Sequence, residues 1–149
     1  MKILAVNKRA NYDYEILEKI EGGLVLKGYE VKSVKTGHIS LKGAYVTVKD
    51  NEAFLTNANI PAYQPLNMPD SYDPERSRKV LIRKSQIKSL IGKVKQKGLT
   101  LVPIKVYSKR GLVKLEFGVG KGKRKIDKRE DIKKREDKVK IRRMLRDKY

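Results

Sequence analysis

The sequence predicts a mainly β protein, a small closed or nearly closed antiparallel barrel followed by a basic C-terminal tail. Three observations predict it. Short runs of β-branched and aromatic residues alternate with turn residues through positions 1–120. A single segment among them carries helical periodicity. From Lys121 onward, Lys and Arg crowd a stretch with few apolar residues and no proline.

Taken in order, Tyr12 to Ile20 reads as a first strand, with Glu21-Gly22-Gly23 as its turn. Leu24, Leu26 and Val31 continue the apolar pattern across Gly28, read as a bend or bulge. Tyr45-Val46-Thr47-Val48 and Ala53-Phe54-Leu55-Thr56 flank Asp50-Asn51-Glu52, which predicts a hairpin. Pro61 to Pro74, with four prolines, is a loop. The helix is expected from Asp73-Pro74-Glu75 onward, with Val80, Ile87, Leu90, Ile91 and Val94 on its stripe and Gly98 as its stop. Thr100–Tyr107 and Leu112–Val119 flank Ser108-Lys109-Arg110-Gly111, the clearest hairpin in the chain. The glycines at 118, 120 and 122 read as a hinge into the tail. Closure into a barrel is the usual answer to exposed strand edges, and a barrel of the oligonucleotide-binding type suits these elements.

Charge narrows the partners. The 149 residues hold 37 Lys and Arg against 17 Asp and Glu, a formal net charge of +20. Self-repulsion of that size calls for an anionic partner, either nucleic acid or an anionic membrane. No apolar run approaches the ~20 residues of a spanning helix. The patch Ile3-Leu4-Ala5-Val6 is too short for a signal peptide, so a cytoplasmic protein is expected. With no cysteine, thiolate metal sites and disulfides are excluded. One histidine, His38, lies in a turn without partners for acid–base work, and no nucleophile triad, zinc helix or phosphate loop occurs. No cofactor or metal is expected.

The chain therefore divides at 120. Residues 1–120 form the barrel domain, and 121–149 form a tail that cannot bury enough apolar surface to offset its ordering entropy when free. Glu130 with Lys134, and Asp131 with Arg135, stand at i,i+4 with the acid first, so a helix is available on binding. Two further basic clusters stand out, Asn7-Lys8-Arg9-Ala10 and Arg76-Ser77-Arg78-Lys79 with Arg83-Lys84 one turn on. Read as the opening of the helix, the second opposes the macrodipole, a cost that phosphate contacts would offset. Tyr12, Tyr14, Tyr29, Tyr45, Tyr63, Tyr72 and Tyr107 are candidate stacking surfaces for bases.

Several strings together resemble one family, small protein B, the SsrA-binding protein. They are Asn7-Lys8-Arg9-Ala10 followed by Asp13-Tyr14, then Gly28 with Glu30-Val31-Lys32-Ser33, and Asp73-Pro74 followed by Arg76, Arg78 and Lys79. Lys97-Gly98 with Thr100, and Gly122-Lys123 followed by Asp127-Lys128-Arg129, complete the set in order across nearly the whole chain. The resemblance implies an oligonucleotide-binding-like barrel with flanking helices. It implies a non-enzymatic protein that binds the tRNA-like domain of transfer-messenger RNA and delivers it to stalled ribosomes for trans-translation. The tail would become helical in the empty mRNA channel of the small subunit, near the decoding centre. Elongation factor Tu and alanyl-tRNA synthetase would be partners indirectly, through the RNA. Carried over by motif, Glu21, Leu81 and Arg83 would face the RNA, assisted by Asn7, Lys8, Arg9, Arg76, Arg78 and Lys79. Lys123, Asp127, Lys128 and Arg129 would carry the ribosomal role of the tail. Two positions depart from the family pattern: Ile126 stands where an aromatic residue or His is frequent, and Arg83 where Asn is frequent.

Three other classes fit the charge. A ribosomal structural protein would share the cationic arm, a polybasic surface protein would bind anionic vesicles, and an RNA-cleaving enzyme would use Glu30 or Glu116 as metal ligands.

Overall fold

The computed structural model describes residues 1–63, 69, 71–96, 98–123, 129, 132–136 and 138. In chain order the elements are β1 (Lys2–Val6), α1 (Ala10–Asp13), β2 (Tyr14–Leu24), α2 (Gly28–Lys35), β3 (Tyr45–Lys49), β4 (Glu52–Thr56), β5 (Arg78–Leu81), α3 (Lys84–Val94), β6 (Leu99–Lys109) and β7 (Leu112–Gly122). The strands form one antiparallel sheet in the order β1-β6-β7-β2-β5-β4-β3. Both expected hairpins are present. Asp50 and Asn51 have φ of 51° and 60°, and Arg110 and Gly111 have φ of 53° and 78°. Positive φ at both central residues is the two-residue turn whose twist matches the flanking strands.

The sheet curls around a core that includes Ile20, Leu24, Leu55, Leu90, Leu115 and Phe117, but it does not close. β1 and β3 are its edges. The strip between them is occupied by α1 and by the segment 39–44, which bury Ala10, Ile39 and Leu41. A cleft runs along the seam, lined by residues of loop 7–9, the segment 39–45 and the start of β6.

Four sequence expectations change. Glu21-Gly22-Gly23 is not a turn, because β2 runs straight through it, pairing Glu21 with Glu116 and Gly23 with Lys114. Its glycine serves close packing instead, since a Cβ on Gly22 would lie 2.5 Å from Val80 Cγ1 and 2.9 Å from Ile82 Cγ2. Gly28 is no bulge but the first residue of α2, whose start is held by Glu30 accepting from the Lys27 N–H at 2.9 Å. Residues 73–81 are not helical. Arg78–Leu81 pair as β5 between β2 and β4, with Arg78 and Val80 inward and Leu81 outward. The helix begins at Lys84, where Gln86 accepts from the Arg83 N–H at 3.0 Å. Val80 and Leu81 face opposite sides of β5, as strand residues do, and the apolar run 80–82 overlaps a helical stripe in sequence.

The expected hinge is also absent from its place. Gly118 and Gly120 lie inside β7, squeezed between β2 and β6. A Cβ on Gly118 would come 2.8 Å from the Glu18 carbonyl, and one on Gly120 would come 3.0 Å from Tyr14 Cβ and Val102 Cγ2. The strand runs on to Gly122, two residues beyond 120, and the Lys123 N–H then donates to the Asp13 carbonyl at 3.0 Å. Among the described tail residues, 129, 132–136 and 138 are helical.

Candidate nucleic-acid interface

The registers of β5, β2, β7 and β6 assemble one outward face. Residues directly opposite on neighbouring strands share a face. Leu81 opposes Gly23, Gly23 opposes Lys114, and Lys114 opposes Tyr107, which makes one row across four strands. The next row holds Glu21, Glu116 and Lys105. Gly23 leaves this surface low, and Leu81 stands over it with 55% of its surface exposed. An apolar knob beside a carboxylate and several ammonium groups suits a folded RNA, with phosphates for the cations and sugar or base groups for the rest.

Glu21 is the organised acceptor of this face. Tyr107 lies almost fully covered, with Lys105 Nζ 5.7 Å from its ring centroid, and its hydroxyl donates to Glu21 Oε2. That hydrogen bond holds the Glu21 carboxyl below its usual range against the opposing effect of desolvation, and Lys109 and Lys114 add to the lowering. Burial, then the bond to Glu21, push the Tyr107 hydroxyl well up, so it remains a donor. The result is an ionised carboxylate fixed by a neutral hydroxyl, with Oε1 making no hydrogen bond among the described residues. Lys105 and Lys19 both approach Glu116, at 3.2 and 3.9 Å.

The structure divides the other expected site residues into three groups. Leu81 and the exposed Arg83 sit at the end of β5 beside the Glu21 face, and Lys79 precedes them, paired with Glu52 at 2.9 Å. Arg76 and Arg78 turn inward. Arg78 has no exposed surface, and all its nitrogens are bonded: Nε and Nη2 to Glu30 Oε2 at 3.0 and 2.6 Å, Nη1 to the Ala58 and Pro74 carbonyls, and Nη2 also to the Tyr72 hydroxyl. Arg76 bonds both oxygens of Glu30, Nη2 to Oε1 and Nε to Oε2 at 3.2 Å. Burial would raise the Glu30 carboxyl, but hydrogen bonds from Arg76, the Lys27 backbone and Arg78 hold it below the usual range. This buried knot ties α2 to the chain entering β5, and it occupies the oxygens that a metal-ligand role for Glu30 would need.

Asn7, Lys8 and Arg9 lie elsewhere. Tyr14 pairs with Gly122 at the far end of β2 from Glu21, about 20 Å along the strand. The loop 7–9 and α1 cap that end. Asn7 Nδ2 bonds the Pro103 carbonyl at 2.8 Å, Arg9 pairs with Asp13 at 3.2 Å and covers the Tyr12 ring, and Lys123 Nζ donates to the Asn11 carbonyl at 2.7 Å. So Lys123, the root of the tail, is neighbour to the N-terminal motif. Asp127, Lys128 and Ile126 lie outside the described residues, and Arg129 is exposed.

Lys114 and Lys109 were not among the expected site residues, and Tyr107, expected as a stacking surface, instead anchors Glu21. Their signal was present in the alternation of charged and apolar residues along 105–109 and 113–117, which puts the polar set on one face of a hairpin. Of the tyrosines, Tyr72 bonds the Ile60 carbonyl at 2.6 Å and meets Tyr29 edge-on, whereas Tyr45 and Tyr63 are exposed.

Residues 4–147 match the family described as SmpB protein. This chain belongs to the SmpB family. Among curated SmpB relatives, the SsrA-binding protein of Thermosipho africanus is 50% identical over 147 residues, covering 98% of each chain. That of Enterococcus faecalis is 46% identical over 145 residues, covering 97% of this chain and 94% of its own. A solved structure described as "tmRNA-SmpB: a journey to the center of the bacterial ribosome" superposes with a TM-score of 0.67 at 42% identity, covering 86% of this chain and 93% of that one. The mainly β fold with flanking helices is thus the SmpB fold. Among the described residues no helix is long and apolar enough to cross a membrane.

Proposed function

We propose that this chain binds the tRNA-like domain of transfer-messenger RNA and brings it to stalled ribosomes, where trans-translation frees the ribosome and tags the incomplete peptide. The observation that carries the reading is the Glu21 face on an SmpB-family scaffold: an ordered carboxylate, the Leu81 knob, and Lys114, Lys109 and Arg83 around them. Such a surface reads a folded RNA by shape, phosphate and 2′-hydroxyl contacts. Lys123, Asp127, Lys128 and Arg129 act with the small subunit, as the start of a cationic tail that enters the mRNA channel near the decoding centre. Elongation factor Tu and alanyl-tRNA synthetase meet the protein through the RNA, and the work is done in the cytoplasm without catalysis by the protein itself. Arg76 and Arg78 support the fold of the RNA-facing strand, since their guanidinium groups are bonded to Glu30 inside the molecule.

The test is to recover RNA bound to the protein in cells and sequence it. One dominant species with a tRNA-like end is expected, together with ribosomal RNA in less than stoichiometric amount. Stoichiometric ribosomes without that species would identify a structural ribosomal protein instead.

A further inference from the structure

The Glu21 face continues one step beyond the rows described above, and what it presents there is apolar. Leu24 and Val113 both turn into the core, so their neighbours Val25 and Leu112 turn out. Val25 still pairs with the β5 side, its N–H donating to the Lys79 carbonyl at 2.9 Å. Lys79 shares the outward face of β5 with Leu81. Leu112 opposes Lys109 and stands two residues from Lys114, the partner of Gly23. Val25, Leu81 and Leu112 therefore gather around Gly23, which has no side chain to separate them. They are 43%, 55% and 60% exposed. An exposed apolar patch rimmed by polar groups marks an interaction site. Here the rim is cationic: Lys109, Arg110 and Lys114 lie along the same hairpin, and residues 76–115 contain no Asp or Glu.

We propose that Val25, Leu112 and Leu81 form an apolar shelf that takes the faces of unstacked bases from a loop of the bound RNA, while Lys109, Arg110 and Lys114 hold the adjoining phosphates. The inference rests on the proposed binding of a tRNA-like domain and adds Val25 and Leu112 to that site. Two observations choose this occupant. The shelf is continuous with the Glu21 face through Gly23 and Lys114, so an RNA seated on one reaches the other. The cationic rim favours a polyanion and repels a basic segment, including the chain's own tail. Phosphate gains nothing from aliphatic carbon, and a duplex hides its base faces by stacking, so the apolar surface offered to the shelf is that of a loop.

The test uses the full-length chain and the tRNA-like RNA, with affinity read by fluorescence anisotropy across a salt series. Val25→Ser and Leu112→Ser should each weaken binding about three- to tenfold, with the thermal midpoint and the slope of log K against log[salt] unchanged. Leu112→Met keeps the apolar surface and should restore near-full affinity. Lys109→Ala should instead make the slope shallower by about 0.9, the signature of one lost phosphate contact. A blunt RNA duplex without loops should bind both serine variants as well as it binds the unaltered chain. A photo-crosslinker at position 112 should mark unpaired loop nucleotides. Full affinity for the tRNA-like RNA in both serine variants would overturn the shelf as an RNA contact and assign the patch to a protein partner. Crosslinks confined to paired stem nucleotides, or an equal loss with the duplex, would also overturn it. Failure of the unaltered chain to bind the tRNA-like RNA would refute the proposed function itself, and the shelf with it.

Discussion

Glu21 and Tyr107 form a pair in which one residue works through the other. The phenol is 3% exposed, and it fixes the carboxylate that the proposed function sets against RNA. Tyr107→Phe should therefore weaken binding of the tRNA-like domain by about three- to tenfold, and should do nothing further in a Glu21→Ala background, as a double-mutant cycle by fluorescence anisotropy would reveal. Additive losses would mean that Tyr107 acts independently of Glu21. Glu30 is the opposite kind of carboxylate, buried and doubly paired. Removing one partner leaves an uncompensated buried charge, so Glu30→Ala should lower stability by ~3–5 kcal/mol in urea unfolding. Its pH dependence has a definite sign. The folded carboxyl titrates below its unfolded value, so its contribution is complete above the ordinary value of about 4.3 and is lost as pH falls through the lower folded value. Glu30→Gln should flatten that acid limb, and an unchanged limb would place the acid sensitivity elsewhere.

At the scale of elements, the glycines of β2 and β7 decide how closely the strands and their side chains approach. Gly22 admits Val80 and Ile82 from the β5 side, while Gly118 and Gly120 admit the chain of β2 and the side chains of β6. None of the three has positive φ, so what they supply is space. Gly118→Ala should cost ~1–3 kcal/mol by overpacking and lower the thermal midpoint, because the Glu18 carbonyl 2.8 Å from the new Cβ is backbone that cannot step aside. Wild-type stability in that variant would show that the β2–β7 spacing yields. Neighbouring strands likewise make β5. Arg78-Lys79-Val80-Leu81 is short and charged, and it becomes a strand because β2 and β4 offer it two ladders and Glu30 offers Arg78 a buried anion.

At the scale of the molecule, one sheet carries the proposed RNA face at one end of its strands and the root of the cationic tail at the other. β7 joins them without a hinge and is tied at its exit by Lys123 to Asn11 and Asp13. A chain ending at Lys123 should retain binding to the tRNA-like domain within about twofold, since the Glu21 face is intact, and should lose ribosome rescue in a reconstituted translation system. Rescue by the shortened chain would remove the tail from the mechanism, whereas loss of RNA binding would assign that affinity to the tail.

Composition and order of motifs determined the broad picture. The +20 charge, the two hairpins, the basic tail and the family strings are all local properties of the chain, and local properties survive without knowledge of what packs against them. Glu21 and Leu81 were named from motif, yet Lys114 and the anchoring role of Tyr107 were not, since Tyr107 lies 86 positions from Glu21 and strand register alone brings them alongside. The tertiary structure alone decided which cations face outward. Arg78 and Lys79 are adjacent in sequence, and one lies buried against Glu30 while the other stays at the surface with Glu52. Strand alternation together with a single buried carboxylate set that difference, and a linear count of positive charge carries no record of either.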